Sequence, residues 1–312
     1  MSHNIVILDG IYANPGDLSW EGLEAYGTIT TYEQTAPDEV VARAKDASIL
    51  IINKIKLGEA HFEQLPNLQL VIISATGMDN VDLKAAEKHD IPVKNVVGYS
   101  TESVAQHVMA MLLNLTNLPE SHSESVKKGN WNENVGFSYT LQTIPELSGK
   151  SIGIYGFGQI GQRVAELAQA FGMTVNITSN HAQPSDYPDY HLMPLDELFQ
   201  QSDVISLHAP LRADNKEIVN KSLLAQAKPG AILINTARGG LINENDLHEA
   251  LKSGPLAAAG LDVMNSEPPS TSHPLFELSN CIITPHMAWA SIYSRSKLIE
   301  GVVEHVANFA SN

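Results

Sequence analysis

Short apolar segments alternate with longer amphipathic segments along the whole chain. Several of the short segments are apolar throughout, which is typical of strands buried on both faces, and turn-forming residues flank each of them. This alternation predicts an α/β fold in which helices cover both faces of parallel sheets. The predicted strands are Ile5–Leu8, Ile49–Ile52, Leu70–Ser74, Pro92–Asn95, Ser151–Tyr155, Thr174–Thr178, Val204–His208, Ala231–Asn235, Leu256–Asp262 and Cys281–Thr284.

Helical spacing is clearest in residues 160–171, where apolar side chains line one face before Gly172. A second predicted helix has Asn243 as its N-cap and ends at Gly254. A long apolar helix is expected over Ser103–Leu118. These patterns place a helix after most of the predicted strands.

The length of 312 residues indicates two domains. From composition alone, the best boundary is the irregular stretch Lys127–Lys150, which contains several glycines and many polar residues. The single cysteine, Cys281, excludes an intrachain disulfide, and its apolar surroundings predict a buried strand.

The formal net charge of −16 opposes general contact with nucleic acid phosphates or an anionic membrane surface. The first residues lack the pattern of a signal peptide, and no apolar run approaches the roughly 20 residues that span a bilayer. We therefore expect a cytoplasmic protein that binds neither nucleic acid nor membrane.

The strand Ser151–Tyr155 runs directly into the sequence Gly156-Phe157-Gly158-Gln159-Ile160-Gly161, and a predicted helix follows at once. In that context the glycines fit a dinucleotide turn. Gly156 permits the tight turn, Gly158 lets the backbone approach a pyrophosphate, and Gly161 allows close packing of helix and sheet. The helix N-terminus adds free N–H groups, including those of Gln159 and Ile160. The alternative is an ordinary turn with three coincidental glycines.

A dinucleotide turn is usually followed, about 20 residues on, by an acidic residue that binds the ribose 2′-hydroxyl. Here the next strand ends in Thr178-Ser179-Asn180-His181, which holds no carboxylate. Without that charge at Ser179 a 2′-phosphate is not repelled, but His181 is the only nearby cation. The cofactor is therefore NAD or NADP, and we expect weak discrimination between them.

Four polar residues lie at or after the ends of predicted strands further along the chain: Arg238, Asp262, Glu267 and His286. In open α/β sheets, ligands bind outside the carboxyl ends of the strands, the edge that also carries the glycine turn. A lone arginine here is usually solvated and a lone histidine usually packed, but their convergence with a cofactor turn favours a catalytic site.

These residue types suit the reduction of a 2-keto acid by hydride transfer. Histidine is well matched to supplying a proton to the carbonyl oxygen near neutral pH, and a neighbouring glutamate would favour the imidazolium and orient it. Arginine offers a planar fork of donors for a carboxylate. No metal site is predicted, since the twelve histidines lack ligand spacing and a cysteine partner.

At this point the chain resembles the D-isomer-specific 2-hydroxyacid dehydrogenase family over essentially its whole length. The motifs that carry the resemblance are Ala75-Thr76-Gly77-Met78-Asp79-Asn80-Val81-Asp82, the glycine turn, Asn235-Thr236-Ala237-Arg238-Gly239, Gly260-Leu261-Asp262-Val263, Glu267-Pro268 and Thr284-Pro285-His286.

The resemblance implies roles for individual residues. Arg238 would bind substrate, His286 would be the acid/base with Glu267 as its partner, and backbone N–H groups around Thr76 and Gly77 would grip the substrate carboxylate. Asp262 would hold the nicotinamide carboxamide. The further cofactor contacts would be Gln159, Ile160, Ser179, His208, Pro210, Thr236 and Ala237, besides the three glycines of the turn.

The resemblance also implies a Rossmann cofactor domain, residues 101–285, inserted into a flavodoxin-like substrate domain formed by residues 1–100 and 286–312. The last helix is expected over Ile292–Phe309. Lys127–Lys150 would then be only a loop, which in this family helps to build a homodimer.

Within the family, four segments look most like glycerate dehydrogenases, also called hydroxypyruvate reductases: Ala75-Thr76-Gly77, Asn53-Lys54, Asn95–Thr101 and Val104–His107. The expected substrate is a small anionic 2-keto acid, hydroxypyruvate first and glyoxylate second. Lys54 either meets a substrate oxygen or is a solvated lysine beside Lys56. The alternatives left open are a D-3-phosphoglycerate-type dehydrogenase and a non-catalytic, dinucleotide-sensing corepressor.

Overall fold

The computed structural model describes residues 2–311, which form twelve strands joined by ten α-helices and four short 3₁₀ helices. The strands are β1 (His3–Ile7), β2 (Gly27–Thr31), β3 (Ile49–Ile52), β4 (Leu70–Ile73), β5 (Val93–Asn95), β6 (Ser151–Tyr155), β7 (Thr174–Thr178), β8 (His191–Leu192), β9 (Val204–Leu207), β10 (Ala231–Asn235), β11 (Leu256–Leu261) and β12 (Cys281–Ile283).

The α-helices are α1 (Val40–Ala44), α2 (Glu59–Phe62), α3 (Leu83–Lys88), α4 (Thr101–Asn117), α5 (Pro119–Lys127), α6 (Gln159–Ala170), α7 (Leu195–Gln201), α8 (Lys221–Leu224), α9 (Glu244–Ser253) and α10 (Ile292–Ala310). As predicted, Asn243 is the N-cap of α9 and Gly254 its C-cap. Within residues 2–311, no helix is both long and apolar enough to cross a membrane.

The chain forms two compact units. The first contains Met1–Ser100 and Trp289–Asn312, and the second contains Thr101–Ala288. The second unit therefore ends at Ala288, three residues later than the end at residue 285 that the resemblance implied. The stretch Lys127–Lys150 lies inside the second unit, so the boundary suggested by composition is wrong.

In the first unit, five parallel strands are ordered β2-β1-β3-β4-β5, which is the flavodoxin-like order. Strand β3 is apolar throughout because its side chains are buried on both faces of this sheet. Leu50 and Ile52 pack in the core with residues of α1, α2 and α3, while Ile49 and Ile51 pack on the other face with α10. Both faces of this sheet are therefore buried.

In the second unit, seven parallel strands are ordered β12-β11-β10-β9-β6-β7-β8. Counted from β6, this is the Rossmann order with one further strand at the edge. Helices α4 and α6 cover one face, and α7, α8 and α9 cover the other. The predicted fold class, two doubly wound parallel-sheet units, is confirmed.

Sequence pattern misses the two edge strands β2 and β8. Strand β2 has the sequence GTITT and is largely exposed, and β8 has only two residues, so neither forms an apolar run. Cys281 also differs from expectation, because β12 is an edge strand and the cysteine is only half-buried. Burial still raises the pKa of its thiol to about 12, which keeps it protonated and unreactive.

Candidate active site

The glycine turn joins β6 to α6 in the second unit. Gly156 has φ +94°, and a Cβ there would lie 2.4 Å from the backbone nitrogen of Ala209. A Cβ on Gly161 would lie 2.3 Å from the carbonyl oxygen of Gly156. At Gly158, the N-cap of α6, no atom of the described residues other than its chain neighbours lies within 4 Å of a Cβ position. Two glycines thus permit close packing, while the third leaves open space beside the helix N-terminus.

An aromatic cluster supports this turn, and sequence patterns gave no sign of it. The ring of Phe157 meets Tyr187 and Tyr190 edge-on, with centroids 4.9 and 5.4 Å away. Gln162 Nε2 donates to the Tyr187 hydroxyl at 3.1 Å and to the carbonyl oxygen of Phe157 at 3.2 Å. The segment after β7 is therefore packed onto the glycine turn.

Ser179 follows directly after β7, where an acidic residue is usual. Its hydroxyl oxygen accepts the backbone N–H groups of His181 and Ala182, at 3.2 and 3.3 Å. These bonds shape the loop and leave the hydroxyl proton able to donate. The loop thus presents a neutral hydroxyl where a carboxylate would repel a 2′-phosphate.

His208 and Pro210 follow β9, which lies next to β6 in the sheet. The backbone N–H of His208 donates to the carbonyl oxygen of Tyr155, and its ring Nε2 lies 2.8 Å from Ser206 Oγ. Burial lowers the pKa of His208 to about 3, so its ring is neutral at physiological pH. His208 therefore offers hydrogen bonds rather than positive charge.

Arg238 follows β10 on a turn held by the buried side chain of Asn235. Asn235 Nδ2 donates to the carbonyl oxygen of Arg238 at 2.9 Å, and its Oδ1 accepts the Ala237 N–H at 3.0 Å. The next residue must be glycine, because a Cβ on Gly239 would lie 2.1 Å from the backbone of Met264. On the same turn, Thr236 Oγ1 is buried and finds no hydrogen-bond partner among residues 2–311.

Glu267 and His286 form a close pair, with 2.7 Å between Oε2 and Nδ1. The other carboxylate oxygen of Glu267 accepts the N–H of Met264 at 3.1 Å, which fixes the glutamate. Because the pair engages Nδ1, proton exchange with a substrate falls to Nε2. His286 has φ +52°, a conformation uncommon outside glycine.

The buried carboxylate of Asp262 holds the turn that carries His286. Oδ1 accepts the Thr284 hydroxyl at 2.5 Å and the Met287 N–H at 2.9 Å, and Oδ2 accepts the Ala288 N–H at 2.8 Å. The carbonyl oxygen of Asp262 accepts the N–H of His286. Both the backbone and the side chain of Asp262 therefore fix the position of His286.

His107, on α4, extends this network and was not predicted as a site residue. Its Nε2 lies 3.1 Å from Thr284 Oγ1 and 3.6 Å from Asp262 Oδ1. Only its place in the motif after Asn95 could have drawn attention to it. In contrast, the predicted residues Arg238, Asp262, Glu267 and His286 all follow neighbouring strands at one sheet edge of this unit.

The first unit contains the remaining predicted contacts, Lys54, Thr76 and Gly77. Lys54 follows β3 and is exposed, while Thr76 and Gly77 follow β4 at the same edge of the sheet. Thr76 Oγ1 donates to the carbonyl oxygen of Val96 at 3.1 Å, and Asn95 Nδ2 donates to that of Thr76 at 2.7 Å. These bonds fix the turn that contains Thr76.

Comparisons with known proteins show the family to which the chain is similar. Residues 109–288 match the family model described as the D-isomer specific 2-hydroxyacid dehydrogenase, NAD binding domain. A hydroxypyruvate reductase of Blautia hydrogenotrophica is 42% identical, covering 98% of this chain and 96% of that protein. A glycerate dehydrogenase of Methylorubrum extorquens is 38% identical, covering 90% and 88%.

Solved structures give the same result. An acyclic imino acid reductase in complex with NADPH and D-Arg has a TM-score of 0.88 and 30% identity, covering 99% of this chain and 97% of that one. A D-lactate dehydrogenase of Aquifex aeolicus complexed with NAD and lactic acid has a TM-score of 0.87 and 29% identity, covering 99% and 96%.

The expected resemblance is thus confirmed, including its similarity to hydroxypyruvate reductases and glycerate dehydrogenases. The chain belongs to the D-isomer specific 2-hydroxyacid dehydrogenase family, and it is an oxidoreductase with a nicotinamide-binding domain.

Proposed function

We propose that the protein reduces a small 2-keto acid to the D-2-hydroxy acid, with hydroxypyruvate as the preferred substrate and glyoxylate as a second one. The observation that carries the proposal is the Glu267–His286 pair, 2.7 Å apart, on the same sheet edge as Arg238 and the glycine turn. Relatives named hydroxypyruvate reductase, glycerate dehydrogenase and glyoxylate reductase support the choice of substrate.

The residues would divide the chemistry as follows. A reduced nicotinamide, when bound, supplies hydride to the carbonyl carbon. His286 donates a proton from Nε2 to the carbonyl oxygen, which becomes the hydroxyl group. Glu267 stabilises the imidazolium and fixes the orientation of the ring. Arg238 binds the carboxylate with its planar fork and polarises the carbonyl oxygen beside it.

The residues of the second unit fit a dinucleotide. The open space beside Gly158 admits a pyrophosphate, which the N–H groups of Gln159 and Ile160 at the start of α6 would meet. Thr236 Oγ1, buried and without a partner among residues 2–311, would have a hydrogen bond to offer a bound cofactor. Asp262 Oδ2 accepts one N–H donor and has capacity for another, so it can hold both the loop and a carboxamide. His208, Pro210 and Ala237 would complete the contacts.

The substrate and cofactor can be tested together with purified protein and a panel of 2-keto acids. We expect consumption of NADH and of NADPH with hydroxypyruvate, weaker activity with glyoxylate, and little activity with 3-phosphohydroxypyruvate. The neutral Ser179 loop predicts that kcat/KM for hydroxypyruvate differs by less than about tenfold between the two cofactors.

The measurement is the loss of absorbance of the reduced nicotinamide. An enzyme that prefers 3-phosphohydroxypyruvate would instead support the phosphoglycerate-type alternative. A strong preference for NADH would contradict the expected weak discrimination, and inactivity with every 2-keto acid would contradict the proposed function.

Two alanine substitutions separate cofactor binding from folding at the glycine turn. Apart from its chain neighbours, no atom of residues 2–311 lies within 4 Å of a methyl group on Gly158, whereas one on Gly161 meets the backbone of Gly156. Gly158→Ala should therefore keep the parent melting temperature but raise the cofactor Kd by about tenfold, which corresponds to about 1.4 kcal/mol. Gly161→Ala should lower the free energy of unfolding by about 1–3 kcal/mol.

Calorimetric titration with NADH and chemical denaturation measure the two effects. If Gly158→Ala binds NADH as tightly as the parent does, the pyrophosphate does not lie over this glycine.

We also propose that the protein is a homodimer. In the segment 128–150, five apolar side chains are exposed, including Phe137 at 94% and Trp131 at 53% of their surfaces; the others are Val135, Leu141 and Ile144. Exposed apolar patches of this kind mark interaction surfaces. A second copy of the chain would cover them.

Sedimentation equilibrium should give the parent about twice the chain mass of 33.8 kDa. Phe137→Asp should shift the mass toward that of one chain, because a buried carboxylate disfavours the interface. Phe276→Asp is the matched control, since Phe276 is also exposed but lies outside this segment. A monomeric parent would contradict the proposal.

A further inference from the structure

The first unit contains a buried carboxylate that the proposed mechanism does not use. Asp9 follows β1 and is only 3% exposed. Its Oδ1 accepts the N–H of Asn53 at 2.7 Å, and its Oδ2 accepts those of Lys54 and Ile55 at 2.6 and 3.2 Å. Three consecutive residues of the loop after β3 thus donate to one carboxylate.

These three donors offset part of the cost of burying a charge. A carboxylate removed from water is costly unless it is well hydrogen-bonded. Burial raises the pKa of Asp9 above its ordinary value, while the backbone N–H groups of the loop and the nearby Lys54 charge act in the opposite direction. Because the donors are backbone groups, the hydrogen bonds constrain the path of the chain at Lys54.

Asn80 holds the same loop through its carbonyl groups. Its Nδ2 donates to the carbonyl oxygen of Asn53 at 3.2 Å and to that of Ile55 at 2.8 Å. The N–H groups and the carbonyl groups on both sides of Lys54 are therefore held by side chains from other parts of the unit. Of the three loop residues, Asn53 is buried, Ile55 is half-buried, and only Lys54 is exposed.

The loop after β3 lies at the point where the strand order of the sheet changes direction. Strands β1 and β3 are neighbours, but from β1 the chain continues to β2 on one side of them, and from β3 to β4 on the other. Their carboxyl ends therefore form the switch point of the sheet, where α/β folds bind ligands. Asp9 and Lys54 stand at the two strand ends that define this point.

We propose that Asp9 is a positioning residue. It fixes the backbone of Lys54 and so holds the lysine where its ammonium group can bind the anionic 2-keto acid. The inference rests on the proposed function and adds a residue to it. Lys54 is then the group that contacts substrate, and Asp9 acts only through it.

The test compares Asp9→Asn with the parent in kinetics and in hydrogen exchange. The variant has nearly the same shape, but its amide nitrogen cannot accept, so at least one loop N–H loses its partner. We expect the KM for hydroxypyruvate to rise about tenfold with a smaller change in kcat, since charged hydrogen bonds of this kind are the strong ones. The NADH Kd should not change, and the amides of residues 53–55 should exchange faster.

A second substitution shows whether the effect passes through Lys54. Lys54→Met should itself raise KM, and adding Asp9→Asn to it should raise KM no further. Asp82→Asn is the matched control. Asp82 also accepts two backbone N–H groups in this unit, but it is the N-cap of α3, where asparagine serves equally well. The KM of Asp82→Asn for hydroxypyruvate should equal that of the parent.

If the parent is active but Asp9→Asn or Lys54→Met has the parent KM, this proposal is overturned and the proposed function is not. Additive effects in the double variant would also overturn this proposal. If Asp9→Asn does not fold, Asn80→Ala loosens the same loop from its carbonyl side, and we expect the same rise in KM and the same coupling to Lys54. A folded parent inactive toward all 2-keto acids would overturn the proposed function as well.

Discussion

Two loops that carry proposed site residues, one in each unit, depend on the same kind of interaction, the hydrogen bonds that their N–H groups donate to a buried aspartate after a neighbouring strand. Asp262 follows β11 and receives donors from the turn after the neighbouring strand β12. Asp9 follows β1 and receives donors from the loop after its neighbour β3. Parallel strands make this possible, because their carboxyl ends lie at one edge. In the second unit the hydrogen bonds offset the unusual backbone conformation of His286.

Sequence reasoning predicts most of the fold because burial on both faces leaves uninterrupted apolar runs, as in β3 and β10. It fails at β2 and β8, since edge strands need no such run. Arg238, Glu267 and His286 could be proposed as site residues because their residue types and positions after strands suit one chemistry. The role proposed for Asp9 could not be predicted, because it depends on which strand lies beside β1, and the sequence leaves that open.

The charge distribution explains how a protein of net charge −16 can attract anions. Positive potential need only be local. The N-terminus of α6 supplies partial charge beside Gly158, and Arg238 and Lys54 supply full charges at the two sheet edges. His208 adds none, since burial holds its pKa far below neutrality. The acidic composition therefore disfavours extended polyanions, and local positive charge is compatible with the small keto acid proposed as substrate.

The most direct test of the account is the turnover number of His286→Ala. We expect kcat for hydroxypyruvate reduction to fall by at least about 100-fold, because the proton donor is lost, while NADH binds with the parent affinity. His273→Ala is the matched control, since His273 Nε2 lies 3.1 Å from Glu244 in a similar pair. Its kcat should stay near that of the parent. A His286→Ala enzyme that keeps the parent kcat would contradict the assignment of His286 as the acid.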